Sequence, residues 1–271
     1  MVGYLGPEKS FTYFAAATFY VKDELRAYAN IHLLFDALTI GKVEGIVVPI
    51  ENSIEGTLNI VLDKLNETGF HITKEIVSQI SLSLISKSNK LETIKIVTSH
   101  THALAQCRNT LLKELGKYKE LPADSTSKAV KSLFDLDETY AAIASDLTVE
   151  GDLNILQSDI QDHKDNKTRF VFIQKSLQVA GFHNKTSIVC SPKIESSGAL
   201  YDILHEFAIR GINLRKIESR PSKDSLGNYV FFIDFEGNIE DQLVKETLAI
   251  LKYKTGYLKI LGSYFSNKKA G

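Results

Sequence analysis

The chain has 271 residues, 44% hydrophobic and 24% charged, enough to bury a core in two domains without covalent staples. A net charge of −1 and a pI of about 6.7 exclude a basic field for DNA or RNA, so any bound anion is expected to be small and locally held. Cys107 and Cys190 lack CxxC spacing, and there is no basic-then-apolar leader and no apolar run of roughly 20 residues, so a cytoplasmic protein without disulfides or membrane contact is expected.

From residue 1 to about 175, short β-rich runs alternate with helical periodicity, the pattern of an α/β domain with a mostly parallel sheet. "VGYL" leads through Gly6-Pro7 into the helical "SFTYFAAATFYV". "EGIVVPI" leads through "ENSIEGT" into a helix with Leu58, Val61, Leu62 and Leu65 on one face. "IKIVTS" leads through Ser99 into "THALAQCRNTLLKEL", "LPAD" through "STS" into "KAVKSLF", and "YAAIAS" through Ser145 into a short helix. Each junction carries a residue able to cap a helix N-terminus. Several such junctions along one sheet edge also suggest a small-anion site, because strand ends gather there and helix N–H groups aim at it.

"DNKTRFVFI" closes this region with an apolar strand. Gly181 to Asn184 then read as a linker. The remainder reads as strand "KTSIVCS", helix "GALYDILHEFAIR", strands "INLRKIES" and "NYVFFIDFE", helix "IEDQLVKETLAILK" and strand "YLKILGSY". That βαββαβ order is the ferredoxin-like unit. Leu200, Ile203, Leu204 and Phe207 give its first helix an apolar face.

The residues offer little conventional catalytic chemistry. His100 and His102 have no carboxylate or thiol at ligand spacing, so no metal is expected, and Cys107 shares a helical face with Ala103, Leu104 and Leu111, as a core residue would. GxGxxG and phosphate-loop spacings are absent, which leaves no nucleotide motif. What remains is a set of neutral hydrogen-bonding side chains at strand ends.

"YLGPEKSFT", "VVPIENSIEGTLN", "SHTHALAQCR", "STS", "AAIAS" and "DNKTRFVFI", followed in order by "GALYDIL" and "IESRP", resemble prephenate dehydratase over nearly the whole chain. The resemblance implies a two-lobed catalytic domain like a periplasmic binding protein at residues 1–178, with its second lobe at roughly 78–157. A regulatory ACT domain at residues 185–265 is implied to follow. It also implies a carbon–oxygen lyase without cofactor or metal that converts prephenate to phenylpyruvate. No chorismate mutase segment precedes "YLGP", so a monofunctional form is expected.

By the same resemblance Thr168 of "TRF" is the catalytic residue, assigned here to the leaving hydroxyl. Ser10, Asn52, Ser53, Glu55, Gly56, Ser99, Ser125, Thr126, Asn166 and Arg169 are implied to form the substrate pocket. Strand alternation adds a counter-expectation for Arg169: if Thr168 points into the cleft, its neighbour points away and pins a loop or carboxylate. Gly198, Ala199 and Leu200, with Glu218, Ser219, Arg220 and Pro221, match the motifs that bind L-phenylalanine as an allosteric effector. Such modules pair side by side, so a homodimer or homotetramer is implied.

Lys9 and Ser10 stand where the family commonly has Gly-Thr, Thr101 and His102 where it has Pro-Gln, and Ser197 where it has proline. Two rival readings are arogenate dehydratase and a non-catalytic amino-acid sensor, the latter disfavoured because no output domain is evident.

Overall fold

The computed structural model describes residues 1–178, 181–222 and 229–266. Three sheets organise the chain. The first runs β2 (Leu25–Tyr28), β1 (Val2–Leu5), β3 (Gly45–Asn52), β11 (Lys167–Gln174), β5 (His71–Gln79), with the short β4 (Gly56–Thr57) added to β3. The second runs β10 (Asn154–Gln157), β6 (Ser83–Ser86), β9 (Tyr140–Ala144), β7 (Ile96–Ser99), β8 (Lys119–Pro122). Both are mixed rather than mostly parallel. The chain leaves the first sheet after β5, builds the second, and returns as β11, which therefore lies antiparallel to both β3 and β5. Phe170, Val171, Phe172 and Ile173 of β11 are at most 1% exposed, and burying each such side chain contributes about 1.5–3 kcal/mol.

Several helices depart from the sequence expectation at their ends. The helix expected at 10–21 is α1 (Phe11–Ala17), capped by Ser10, whose Oγ accepts from the Tyr13 amide at 3.2 Å. The helix expected across 101–115 breaks at Cys107 (φ −113°, ψ 2°) into α4 (Thr101–Gln106) and α5 (Arg108–Leu115). Cys107 is nonetheless core, packed with Ala103, Leu104 and Leu111, and burial pushes its thiol up to about 12. Ser99 does not cap α4. Its hydroxyl donates to the Ile143 carbonyl at 2.6 Å, and His100 supplies the cap instead.

"ENSIEGT" is a hairpin between β3 and β4 rather than a capping junction. The helix after it, α3 (Asn59–Glu67), has Leu58 at its N-cap and no side-chain cap bond. Ser125 caps α6 (Thr126–Ser132), and Ser145 accepts from the Leu147 amide.

The third sheet is β13 (Leu214–Pro221), β14 (Tyr229–Glu236), β12 (Lys185–Pro192), β15 (Thr255–Tyr264), fully antiparallel, with α7 (Ala199–Ala208) and α8 (Gln242–Lys254) over one face. This is the βαββαβ order read from the sequence; Asn228, first residue of the expected "NYVFFIDFE" strand, lies outside the described residues. The other face merges with the first sheet. Ile72, Val171 and Ile173 share one buried cluster with Val189, Phe232, Leu261 and Tyr264.

At Gly262, β15 passes close against the backbone of β5. A Cβ there would lie 2.1 Å from the Ile72 carbonyl oxygen, a backbone atom that cannot yield alone. Gly262→Ala is expected to cost about 1–3 kcal/mol by forcing the two strands apart. A lower urea midpoint with faster amide exchange along β5 and β15 would show it; an unchanged midpoint would mean the strands separate freely.

Candidate active site

The two lobes face each other across a cleft of about 310 Å³. From the first sheet and the segments flanking its strands come Ser10, Asn52, Glu55, Asn166 and Thr168 with apolar Leu58, Ile80 and Phe170; from the second lobe come His100, His102, Gln106, Ser125 and Thr126. The wall is thus largely apolar, with hydroxyls, amides, two histidines and the carboxylates of Glu55 and Asp124 converging on it. No lysine or arginine is among its described lining residues.

Register sets the polar core of this site. Thr168 on β11 pairs with Asn52 on β3, bringing together side chains 116 residues apart. Asn52 Oδ1 accepts from the Ile54 and Glu55 amides at 2.9 and 3.0 Å, which fixes its amide orientation. Its Nδ2 therefore donates to Asn166 Oδ1 and to Thr168 Oγ1, both at 2.8 Å. With one lone pair of Oγ1 so occupied, the Thr168 hydroxyl hydrogen is left to be donated elsewhere.

The chain continues across the cleft. Asn166 Nδ2 donates to Gln106 Oε1 at 3.3 Å, Gln106 Nε2 donates to Glu55 Oε1 at 3.1 Å, and His102 Nδ1 lies 3.0 Å from the same carboxylate oxygen. His102 and Gln106 stand at i and i+4 of α4, so one helix face of the second lobe meets the hairpin of the first. Lys9 makes another link by ion-pairing with Glu150, and its ammonium holds that carboxyl below its ordinary range. Lys9 has φ +61°, the left-handed region that favours glycine, at a cost of about 1–2 kcal/mol.

Four residues expected in the pocket do not line it. Ser53 Oγ bonds the Asp165 carbonyl and the Lys167 amide, fastening the hairpin to the start of β11. Gly56, at φ +82°, supplies the left-handed backbone of the hairpin turn. Ser99 is buried beneath the cleft on the Ile143 carbonyl. Arg169 points to the opposite face of β11, as alternation requires, into a buried cluster with Glu75, Asp234 and Tyr264 at 2.5, 2.6 and 2.7 Å. Conversely, His100, His102 and Gln106 line the cleft, although Ser99 is the one residue of "SHTHALAQ" that the sequence assigns to the pocket. The i, i+4 polar pair on α4 was the available signal.

In the third sheet, Gly198 stands at the N-cap of α7 with φ +89°, ahead of Ala199 and Leu200, and no side chain caps that helix. Glu218 and Arg220 turn toward the first lobe. Glu218 Oε2 accepts from the Thr57 hydroxyl at 2.9 Å, and Arg220 Nη2 lies 3.3 Å from Asp63. By alternation Ser219 and Pro221 face the other way, exposed.

Two α/β lobes about a cleft of hydroxyls and amides, with a ferredoxin-like module docked on one, define a small-molecule enzyme with an attached regulatory domain. Residues 2–178 match the family model "Prephenate dehydratase", and residues 196–252 match "ACT domain". The chain is 45% identical over 225 residues to prephenate dehydratase of Methanocaldococcus jannaschii (80% of each chain), and 35% over 280 residues to that of Bacillus subtilis (98% of each). The crystal structure of prephenate dehydratase from Arthrobacter aurescens in complex with L-Phe superposes with a TM-score of 0.86 at 32% identity, covering 98% of this chain and 89% of that one. The chain belongs to the prephenate dehydratase family: it is a carbon–oxygen lyase of phenylalanine biosynthesis carrying an ACT regulatory domain. Among the described residues no helix is long and apolar enough to cross a membrane.

Proposed function

We propose that the cleft binds prephenate in the geometry for concerted loss of its ring carboxylate and ring hydroxyl, with Thr168 assisting hydroxide departure. The C–C bond to the carboxylate breaks and releases carbon dioxide. Its electron pair enters the ring, and the C–O bond breaks at the opposite carbon to give phenylpyruvate and hydroxide. Aromatisation supplies the driving force, so the protein's task is positioning, which can lower a barrier by about 7–11 kcal/mol.

The observation that carries this reading is the Asn52 amide on Thr168 Oγ1, which leaves the threonine proton to be donated to the leaving oxygen. An alcohol is too weak an acid to surrender that proton near neutral pH, so its contribution is a hydrogen bond that strengthens as charge develops. A lining without lysine or arginine also suits the reaction, since a cation on the departing carboxylate would oppose electron flow. In this proposal Ser10, Asn166, Ser125 and Thr126 hold the substrate, Asn52 orients Thr168, and Glu55 ties the lobes. No cofactor is required.

Residues 1–178 act as the catalytic part, with the second lobe at roughly 78–157, and residues 185–265 as the regulatory module of a cytoplasmic homodimer or homotetramer. Comparing kcat/KM for prephenate and arogenate tests the substrate. Prephenate should be favoured because Glu55, a carboxylate that could meet arogenate's ammonium, is already engaged by His102 and Gln106. A preference for arogenate would overturn that choice.

L-Phenylalanine is proposed to bind the module at Gly198–Leu200 and the strand Glu218–Pro221. The Thr57–Glu218 bond supports a route to the cleft, because Thr57 lies on the hairpin that carries Asn52 and Glu55. Saturating L-phenylalanine is expected to lower prephenate turnover; unchanged turnover would count against the route.

A further inference from the structure

The hydrogen bonds that cross the cleft all run one way. At one end stand the Ile54 and Glu55 backbone amides, which can only donate, and Asn52 Oδ1 takes both. At the other end stands a carboxylate oxygen, Glu55 Oε1, which accepts from Gln106. Between them Asn52 Nδ2 donates to Asn166 Oδ1, Asn166 Nδ2 to Gln106 Oε1, and Gln106 Nε2 to Glu55. No amide in this row can be turned over alone without setting donor against donor or acceptor against acceptor.

Gln106 is the member that comes from the second lobe. It ends α4, and its backbone carbonyl is held by the Asp162 amide at 2.8 Å. Its side chain then reaches two residues of the first lobe, Asn166 at 3.3 Å and Glu55 at 3.1 Å. Asn166 is 1% exposed, so without Gln106 its amide N–H would be buried and deprived of that acceptor, which is costly. Turning the Asn166 amide over offers no escape. It would set Asn166 Nδ2 against Asn52 Nδ2, and Asn52 cannot turn with it because two backbone amides hold its oxygen. The same Asn52 Nδ2 makes the 2.8 Å bond to Thr168 Oγ1.

We infer that Gln106 is a positioning residue for the reaction: from the opposite lobe it fixes the Asn166 amide, which keeps Asn52 Nδ2 on Thr168 Oγ1 and the threonine proton directed to the leaving oxygen. Gln106 acts through Asn166 and Asn52, and the Thr168 hydroxyl is set for donation while α4 lies against the hairpin. The inference rests on the reading that Thr168 assists hydroxide departure.

The test is kcat and KM for prephenate, with thermal melts, in Gln106→Leu, in Gln106→Glu, and in the exchange of Glu55→Gln with Gln106→Glu. Gln106→Leu should lower kcat about three- to tenfold, the range set by one neutral hydrogen bond. Gln106→Glu should lower it too, because two carboxylates then meet. The exchange restores the direction of the row: the new carboxylate accepts from Asn166 and from the new amide, whose oxygen still faces His102 Nδ1, and most of the lost kcat should return. Gln106→Leu is also made in the Thr168→Ala background, where it should change kcat by less than about twofold because no hydroxyl is left to position. Normal kcat in Gln106→Leu, a change confined to KM, an exchange variant no better than Gln106→Glu, or a full further loss on top of Thr168→Ala overturns this inference alone. Near-normal turnover in Thr168→Ala itself would overturn the reading beneath it.

Discussion

Thr168→Ala is expected to lower kcat for prephenate by about 10²–10³-fold with little change in KM, the cost of removing one donor aimed at developing charge. The side chain is 8% exposed, and its deletion leaves the β11 pairing with Asn52 and Ser78 in place, because that pairing uses backbone groups. Asn52 Nδ2 loses one acceptor but keeps Asn166 Oδ1 at 2.8 Å, so the stability cost should be about 1 kcal/mol. Thr168→Ser keeps the hydroxyl and its acceptance from Asn52, and should retain activity within about tenfold. Steady-state kinetics with thermal melts separates these effects. Near-normal turnover in Thr168→Ala would remove the residue from the mechanism.

Arg169→Leu is expected to destabilise the protein by about 3–5 kcal/mol, the usual cost of deleting one member of a buried ion cluster. Its guanidinium joins Glu75 of β5 to Asp234 and Tyr264 of the ACT module, and Lys185 adds a second cation 2.8 Å from Glu75. Burial alone would raise the pKa values of Glu75 and Asp234, but Arg169 and Lys185 outweigh it and hold both carboxyls below their ordinary range. Without Arg169, Lys185 is the cation left to Glu75 and Asp234, which keep the Ser266 and Ser187 hydroxyls as donors, and the Tyr264 hydroxyl keeps Ser187 at 2.6 Å.

The sign of the pH effect follows. Carboxyls with lowered folded-state pKa values contribute fully above about pH 4–4.5, their unfolded range, and that contribution drains away as pH falls below it. The difference in urea midpoint between wild type and Arg169→Leu should therefore be largest near neutral pH and shrink in acid. Equal midpoints at pH 7 would show that the cluster is not what fastens the module. Activity should fall as well, since Arg169 is the strand neighbour of Thr168 and anchors it from behind.

These two adjacent residues show how far the sequence could be read. The alternation of β11 was legible: an apolar run with Thr168 at its mouth gives the strand, and period two sends Arg169 to the far face. Its partners were not legible, because Asp234 and Tyr264 lie 65 and 95 residues away and only the docking of the third sheet brings them near. The same limit explains Gly262, whose reason for being glycine is the Ile72 carbonyl on another sheet.

Local chemistry was ambiguous where one side chain could serve two purposes. Ser10, Ser125 and Ser145 cap as their positions suggest, while Ser99, at an equivalent junction, turns its hydroxyl to Ile143 and leaves the cap to His100. "ENSIEG" held its polar residues where expected but as a hairpin, so Asn52 and Glu55 reach the cleft while Ser53 and Gly56 shape the turn. The mixed sheet order depended on β11 returning after the whole second lobe, a long-range pairing that no local pattern encodes.

The most direct test of the central claim is to incubate the purified chain with prephenate at neutral pH and follow phenylpyruvate and carbon dioxide together. One carbon dioxide released per phenylpyruvate formed, at a rate that depends on Thr168, is the predicted result. Prephenate left intact, or decarboxylated without loss of its hydroxyl, would contradict it.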